Sequence, residues 1–284
     1  MQRFVFQPVQ ALKPFIKSIE IVESTHFQSE GVSNQYLPDG YFELGINLSK
    51  GKLEFRNVFN PPMALVNPVS YFAGQGTSGV YILPQGHFLL LMVKIYPWAG
   101  QCLTAFPLGE LTNTICEGRL IFERGLDELE EKLLAATNHT QRVIFVQHFL
   151  VRQLRRCNQK IHPVLRTTTL KLFQTEGQVN LGTLCKTSDA SQRTIQRLFR
   201  KAYGIRPKQL SQQLRLRHFA RLRAVTPEAS LTELALRCGY FDQAHFNHDF
   251  RVVAGTTPRE FFSGTPMMAD FIKKKEMPRS ITFV

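Results

Sequence analysis

LFRKAYGIRPKQL at residues 198–210 and DFRVVAGTTPREF at residues 249–261 are two versions of one phrase in a single chain. Phe199 pairs with Phe250, Arg200 with Arg251, Gly204 with Gly255, Pro207 with Pro258, and the basic Lys208 with Arg259, always 51 residues apart. A repeated supersecondary unit fixes the architecture around it. Two copies are too few for a solenoid and point to a pair of small modules doing one job twice.

Working outward, each copy resolves into a short helix, a turn and a second helix that ends at the shared glycine. In the second copy Ser230 precedes LTELALRC with Glu233 three residues on, the pattern of a capping box. Gly239 then turns the chain, and Asp242 caps a helix over 243–254 with Phe246 and Phe250 inside. The first copy uses Asn180 and Ser191 as caps and places Ile195 and Phe199 inside. Leu184 to Phe199 spans 15 residues whereas Leu234 to Phe250 spans 16, so the turns differ. Asp189 stands where the second copy has Gly239, which predicts a left-handed aspartate.

A helix-turn-helix lays its second helix in the DNA major groove while the first crosses the backbone. SQRTIQRLFRKAYG suits that work: with Ile195, Leu198, Phe199 and Ala202 turned inward, Gln192, Arg193, Gln196, Arg197, Arg200 and Lys201 face out. Arginine pairs with guanine and glutamine with adenine in the major groove, so Arg193, Gln196 and Arg197 are the expected base readers. Ser191, Arg200, Lys201, Arg206 and Arg251 are the expected phosphate contacts. The second reading helix offers Gln243, His245, Asn247 and His248 and is less basic. Between the units PKQLSQQLRLRHFARLRAV predicts a helix roughly 30 Å long, which suits reading helices about 34 Å apart on one face of a duplex. Of Arg215, Arg217, Arg221 and Arg223 on that helix, at least two are expected on a solvated face.

The charge distribution agrees. Residues 1–150 hold 11 Lys/Arg against 13 Asp/Glu, a net −2, whereas residues 151–284 hold 24 against 9, a net +15. Such asymmetry points to a polyanion-binding domain joined to a near-neutral one. A merely solvated surface is the bland alternative. Membrane attachment fits less well, because the basic residues are spread through the repeats rather than gathered in one run. At 284 residues and 43% apolar content, the chain suffices for two domains with their own cores. Its longest apolar run, 88–93, falls far short of the roughly 20 residues of a membrane span, and the start MQRFVFQPVQ lacks a signal-peptide core, so a cytoplasmic location is expected. Cys102, Cys116, Cys157, Cys185 and Cys238 are scattered with no C-x-x-C pair, which predicts reduced packing residues.

With F-R-x-x-x-G-x-x-P closing each unit and G-Y-F-D-Q-A-H-F opening the second reading helix, residues 161–263 resemble the DNA-binding domain of AraC-type transcription regulators. The resemblance implies a seven-helix domain, sequence-specific binding of promoter DNA, RNA polymerase as a partner, and a sensing or dimerising N-terminal domain, with a homodimer as one arrangement. Carried onto this chain, the family's base-facing positions fall on Arg193, Gln196 and Arg197 in the first unit and on Gln243, Asn247 and His248 in the second. His248 departs from the arginine common at its position. YLPDGYFEL and VKIYPWAG also resemble the P-D-G turn and the strand-proline segment of the β-rich domain in one branch of the family.

Read from its own residues, the first half is β-rich: FVF, YFELGINL, GVYIL and HFLLLMVKIY are separated by PDG, NPP, AGQGTSG and PQG turns, a sandwich or small cupin-like barrel. The expected chain is therefore an α+β multidomain protein: a sensing or dimerising domain over 1–108, a helical connector over 109–160, a double helix-turn-helix domain over 161–265 and a basic tail over 266–284. Phe42, Tyr71, Phe72, Tyr81 and Trp98 are candidates to line a pocket for a small apolar effector, or else to fill the barrel core. Enzymatic readings lack their residues. The β-rich half has only His26 and His87, far apart, and no phosphate loop, G-x-S-x-G or H-E-x-x-H, so no metal or other cofactor is expected. The remaining alternative makes the first half a protein-interaction module, with Val143, Val146, Leu150 and Leu154 presented to a partner helix.

Overall fold

A computed structural model describes residues 2–27, 32–33, 35–49, 52–58, 65–66, 68–157, 159–263 and 265–266. The expected basic tail lies outside the described residues apart from Pro266.

The first half is a β structure assembled around one long strand. Its strands are β1 (Gln2–Phe6), β2 (Ile16–Phe27), β3 (Val32–Ser33), β4 (Gln35–Tyr36) and β5 (Phe42–Asn47). They continue with β6 (Lys52–Asn57), β7 (Leu65–Val66), β8 (Ser70–Ala73), β9 (Val80–Ile95) and β10 (Ile115–Glu117). The main path runs β1-β2-β9-β5-β8-β10, with β4 and β6 also on β9. β9 can serve so many partners because it is 16 residues long: its first part pairs with β6, from Asn57↔Val80 to Lys52↔Gln85, and its second with β2 and β5, where Leu44 faces Val93. A short parallel pairing joins β3 to β11 (Thr265–Pro266).

Alternation along these strands divides the sheet into two faces. Phe42, Leu44 and Ile46 of β5 and Leu91, Val93 and Ile95 of β9 enter one large core against the helices. Their neighbours Met92 and Leu90 join Val22, Phe55, Tyr71 and Ile82 in a second cluster on the opposite face. The sheet also runs past the boundary expected at 108. β10 pairs with β8 through Cys116↔Phe72, so the start of the expected connector belongs to the β domain. A three-residue strand has no periodicity to announce itself.

Helices follow: α1 (Gly100–Leu103), α2 (Leu126–Ala135) and α3 (His139–Arg156). Val143, Val146 and Leu150 are fully buried in the chain's own large core and Leu154 packs against it. The face proposed for a partner helix is consumed within the protein. Its 3.6-residue spacing is the same for either use, so sequence could not separate them.

The C-terminal half contains α4 (Pro163–Gln174), α5 (Leu181–Ser188), α6 (Gln192–Tyr203), α7 (Pro207–Val225), α8 (Leu231–Arg237), α9 (Gln243–Ala254) and α10 (Pro258–Ser263), the seven helices that the resemblance implied. Two cores divide them within α7. Leu210 and Leu214 join the large core, which also holds Ile195 and Phe199 and continues into the β domain. Leu216 and Phe219 join a separate core with Phe246, Phe250 and Phe261. The first helix-turn-helix unit is thus welded to the N-terminal domain, and the second has a core of its own.

Candidate functional site

The reading helices begin as their caps dictate. Asn180 Oδ1 accepts the Thr183 amide at 2.8 Å, Ser191 Oγ the Thr194 amide at 3.1 Å, Ser230 Oγ the Glu233 amide at 3.1 Å and Asp242 Oδ1 the His245 amide at 2.7 Å. The box expected at Ser230 is only half formed among the described bonds, because the exposed Glu233 carboxylate does not return to the Ser230 amide. Asp189 adopts the left-handed conformation at φ 47°, as its position opposite Gly239 (φ 76°) requires. Both reading helices run 12 residues and end on left-handed glycines, Gly204 and Gly255. Their first and last residues are offset by the same 51 positions as the repeat, so the one-residue difference is taken up before them.

On α6, Ile195, Leu198, Phe199, Ala202 and Tyr203 are buried, whereas Arg193, Arg197, Arg200 and Lys201 are exposed and Gln196 is half-buried. The spacing i, i+4, i+7, i+8 puts those four cations on one stripe. Among the described residues none of the four takes part in an ion pair, and neither does the exposed Arg251 of α9 or Arg206 at the start of α7. Ser191 is exposed, but its hydroxyl is engaged by the Thr194 amide and hydroxyl, so the helix cap already occupies the expected phosphate ligand. On α9, Gln243, His245 and His248 are exposed and Asn247 is half-buried. Gln243 is oriented from α8, where the Thr232 hydroxyl donates to its Oε1 at 2.9 Å.

The arginines of α7 do something else. Arg215 pairs with Asp249 and lies 4.4 Å over the Tyr240 ring, and Arg217 donates to the Asp39 carbonyl at 3.2 Å while facing Tyr41 and Phe173. Arg221 pairs with Glu176, which also holds His218, and Arg223 donates to the carbonyls of Pro227 and Ala229. All four make contacts within the fold and Arg221 alone of them is exposed, so the solvated face expected for at least two is found for one. The alternate spacing of 215, 217, 221 and 223 reaches different neighbours around the helix, and sequence names none of them.

The N-terminal domain grips the far ends of both reading helices. The last carbonyls of a helix lack intrahelical donors. On α9 they are served from the β domain: the Gly79 amide donates to the Val253 carbonyl at 2.8 Å and Gln35 Nε2 to the Ala254 carbonyl at 2.6 Å. On α6 the 3-10 turn Leu108–Leu111 packs against the end of the helix. A Cβ on Gly109 would strike the Lys201 carbonyl, and one on Gly204 would strike Thr112 and the Gly109 carbonyl.

The P-D-G turn sits at the same junction. Gly40 is left-handed at φ 84°, and a Cβ there would approach Leu210 of α7 to 2.8 Å. Behind the turn, between the second face of the sheet and α7, is a cavity of about 630 Å³ lined by Tyr36, Phe55, Tyr71, Met92, Lys94 and Arg217 among others. Charged groups line it in matched sets. Lys94 Nζ lies 2.9 Å from Asp39 and 2.5 Å from Glu43, the Tyr71 hydroxyl donates to Glu43 at 2.6 Å, and Arg3 pairs with Glu20 at 2.9 Å. Burial pushes the Lys94 ammonium down, but the Asp39 and Glu43 carboxylates outweigh it and hold its pKa above the usual lysine value.

Of the five aromatics nominated for a pocket, Tyr71 alone lines this cavity. Phe42, Phe72 and Trp98 are buried in the large core on the opposite face, and Tyr81 is half-buried outside the cavity lining. Strand alternation is the reason: Phe42 and Glu43, or Tyr71 and Phe72, point to opposite faces. Glu43 and Lys94 had a visible signal, since each is a lone charge inside an apolar strand, whereas Glu20 shares β2 with Lys17 and Glu23 and does not stand out. Among the described residues no group of His, Cys, Asp and Glu is arranged to hold a metal, and no helix is long and apolar enough to cross a membrane.

Together the caps, the turns and the paired helices α6 and α9 define a double helix-turn-helix domain. Among known proteins, residues 184–264 match the family described as Helix-turn-helix domain. Residues 4–117 match the family described as Domain of unknown function (DUF6597). The chain is 33% identical over 90 residues to the HTH-type transcriptional activator RhaS of Escherichia coli O139:H28, covering 31% of each protein. Over 146 residues it is 26% identical to RhaS of Escherichia coli O1:K1, covering 49% of this chain and 51% of that protein. The chain thus spans about a third to a half of the length of these curated relatives. Among solved structures, unsaturated fatty acid bound ToxT from Vibrio cholerae aligns with TM-score 0.48 and 11% identity over 87% of this chain and 94% of that one. The AraC-like transcriptional activator CuxR aligns with TM-score 0.29 and 12% identity over 95% and 90%.

Proposed function

We propose that the chain is a sequence-specific transcription regulator that reads two successive major-groove segments with α6 and α9. The observation that carries this reading is the contrast between two sets of cations. Arg193, Arg197, Arg200 and Lys201 stand exposed on one stripe of α6 with no ion-pair partner among the described residues, whereas the arginines of α7 are all engaged. Unpaired cations on one face, in a half of the chain carrying +15, suit phosphate and guanine contacts. In this reading Arg193, Gln196 and Arg197 read bases in one segment, Gln243, Asn247 and His248 read the other, and Arg200, Lys201, Arg206 and Arg251 meet phosphates. Double-stranded DNA is the partner, RNA polymerase the machinery it addresses, and the cytoplasm its place.

Modulation by a small molecule is supported by the cavity behind the P-D-G turn. Its volume falls within the roughly 300–1,000 Å³ of ordinary ligand sites, and it mixes apolar walls with a few fixed polar groups. Asp39 and Gly40 contact both this cavity and α7, so a ligand there would bear on the helix that joins the two readers.

The test is a titration of the full chain and two variants on its preferred duplex and on random duplex. Arg193→Ala should weaken the preferred duplex by about 1–3 kcal/mol with a much smaller change on random DNA, while Lys201→Ala should weaken both alike. Equal losses on both duplexes for Arg193→Ala would contradict the assignment.

A further inference from the structure

The second reading helix opens with a residue that neither the charge pattern nor the caps account for. Phe241 is 87% exposed, the highest value among the large apolar side chains described as exposed. It stands immediately before the cap Asp242, a position from which an apolar residue commonly staples inward onto the fourth helical residue. That residue is Phe246, and its place beside the turn is taken by Tyr240, whose ring lies 5.2 Å from Phe246 and 4.4 Å from the Arg215 guanidinium. On the other side the Asp242 carboxylate is fixed by the His245 amide. Phe241 is therefore held between two anchored neighbours and presented outward by the turn itself.

The first unit has no counterpart. Its residue before the cap is Ala190, small and half-buried against the large core. The difference follows the charge balance: α6 carries four exposed cations, whereas the outward face of α9 offers Gln243, His245, Asn247, His248 and one arginine, Arg251. Major-groove edges present one apolar group, the C5-methyl of thymine, and an apolar side chain reads it by contact.

We infer that Phe241 is a specificity-determining residue that packs its ring on a thymine methyl at the edge of the segment read by α9. The inference rests on the proposed DNA reading by that helix. Burying one methyl contributes about 0.8 kcal/mol, which is about a fourfold change in affinity.

The probe is the duplex selected from a random pool by the full chain, with each thymine in the second block replaced in turn by deoxyuridine, which lacks only the methyl. One replacement should weaken the wild-type chain about fourfold. Phe241→Ala should lose at least that factor on the parent duplex and be indifferent to the same replacement, and Phe241→Leu should recover part of the loss. The salt dependence should not change, because no charge is altered. Phe241→Ala binding the parent duplex as wild type does, or every deoxyuridine duplex binding the wild type like its parent, would overturn the inference. Either result leaves the DNA reading itself standing. Only failure of the wild-type chain to select any duplex would remove that.

Discussion

Arg215 Nη2 on the long helix α7 lies 3.2 Å from Asp249 Oδ2 on the second reading helix, with both side chains about seven-eighths buried. The same guanidinium covers Tyr240, and His245 approaches the same carboxylate at 3.7 Å. This brace sets the angle between α7 and α9 from inside the second core. Removing one member of a buried pair strands the other, so Asp249→Ala should destabilise the second unit by about 2–4 kcal/mol. Because Leu216 to Phe261 form a core separate from the first unit, thermal unfolding should split into two transitions, the second reading helix melting first. DNA footprints should then shrink to the block read by α6.

The repeated glycines should behave unequally. Both are left-handed, at φ 72° for Gly204 and 74° for Gly255, so alanine costs roughly 1–2 kcal/mol at either. Gly204→Ala additionally drives a methyl into Thr112 and the Gly109 carbonyl. Chemical denaturation should show a clearly larger loss for Gly204→Ala than the roughly 1–2 kcal/mol of the backbone effect alone. Equal losses would mean that the β domain does not seat on the end of α6.

Adding a cation to α9 should strengthen its proposed contact with DNA. His248 is exposed on its outward face. His248→Arg should raise affinity and steepen the dependence on salt by about one unit of log K per log salt if the new charge meets a phosphate. If it meets a guanine instead, the gain should be confined to one base. An unchanged affinity would place that position away from the duplex.

Stability should fall as the solution becomes alkaline. Burial pushes the Cys102 thiol up to about 11 and the Cys238 thiol up to about 12. The unfolded chain releases those protons first, near the ordinary thiol value, so the unfolded state gains as pH rises above roughly 9. Lys94 acts in the same direction: its raised pKa favours the folded state at lower pH, and that advantage is lost as pH climbs beyond the usual lysine range. Denaturation midpoints from pH 7 to 11 should decline, and Cys238→Ala should flatten part of the decline.

What was legible in the sequence was local. Asn180, Ser191, Ser230 and Asp242 announce helix starts because a short polar side chain before an apolar period has few other uses, and the 51-residue echo aligned both units. The division of labour among arginines was not legible: Arg193 and Arg217 look alike until the fold supplies Asp39, Tyr41 and Phe173 to the second. The cavity's lining is not legible from aromatic residue type, because the pleat decides which face each side chain joins. Glu43 and Lys94, lone charges in apolar strands, were the better signal.

The most direct test of the central claim is selection of DNA from a random pool by the full chain, followed by titration of the winner at several salt concentrations. Two short conserved blocks about one helical turn apart, bound roughly a thousandfold or more tighter than random duplex, are the predicted result. A pool that returns no motif, with affinity that simply falls with salt, would contradict the account and reduce the +15 of the second half to a phosphate-binding surface.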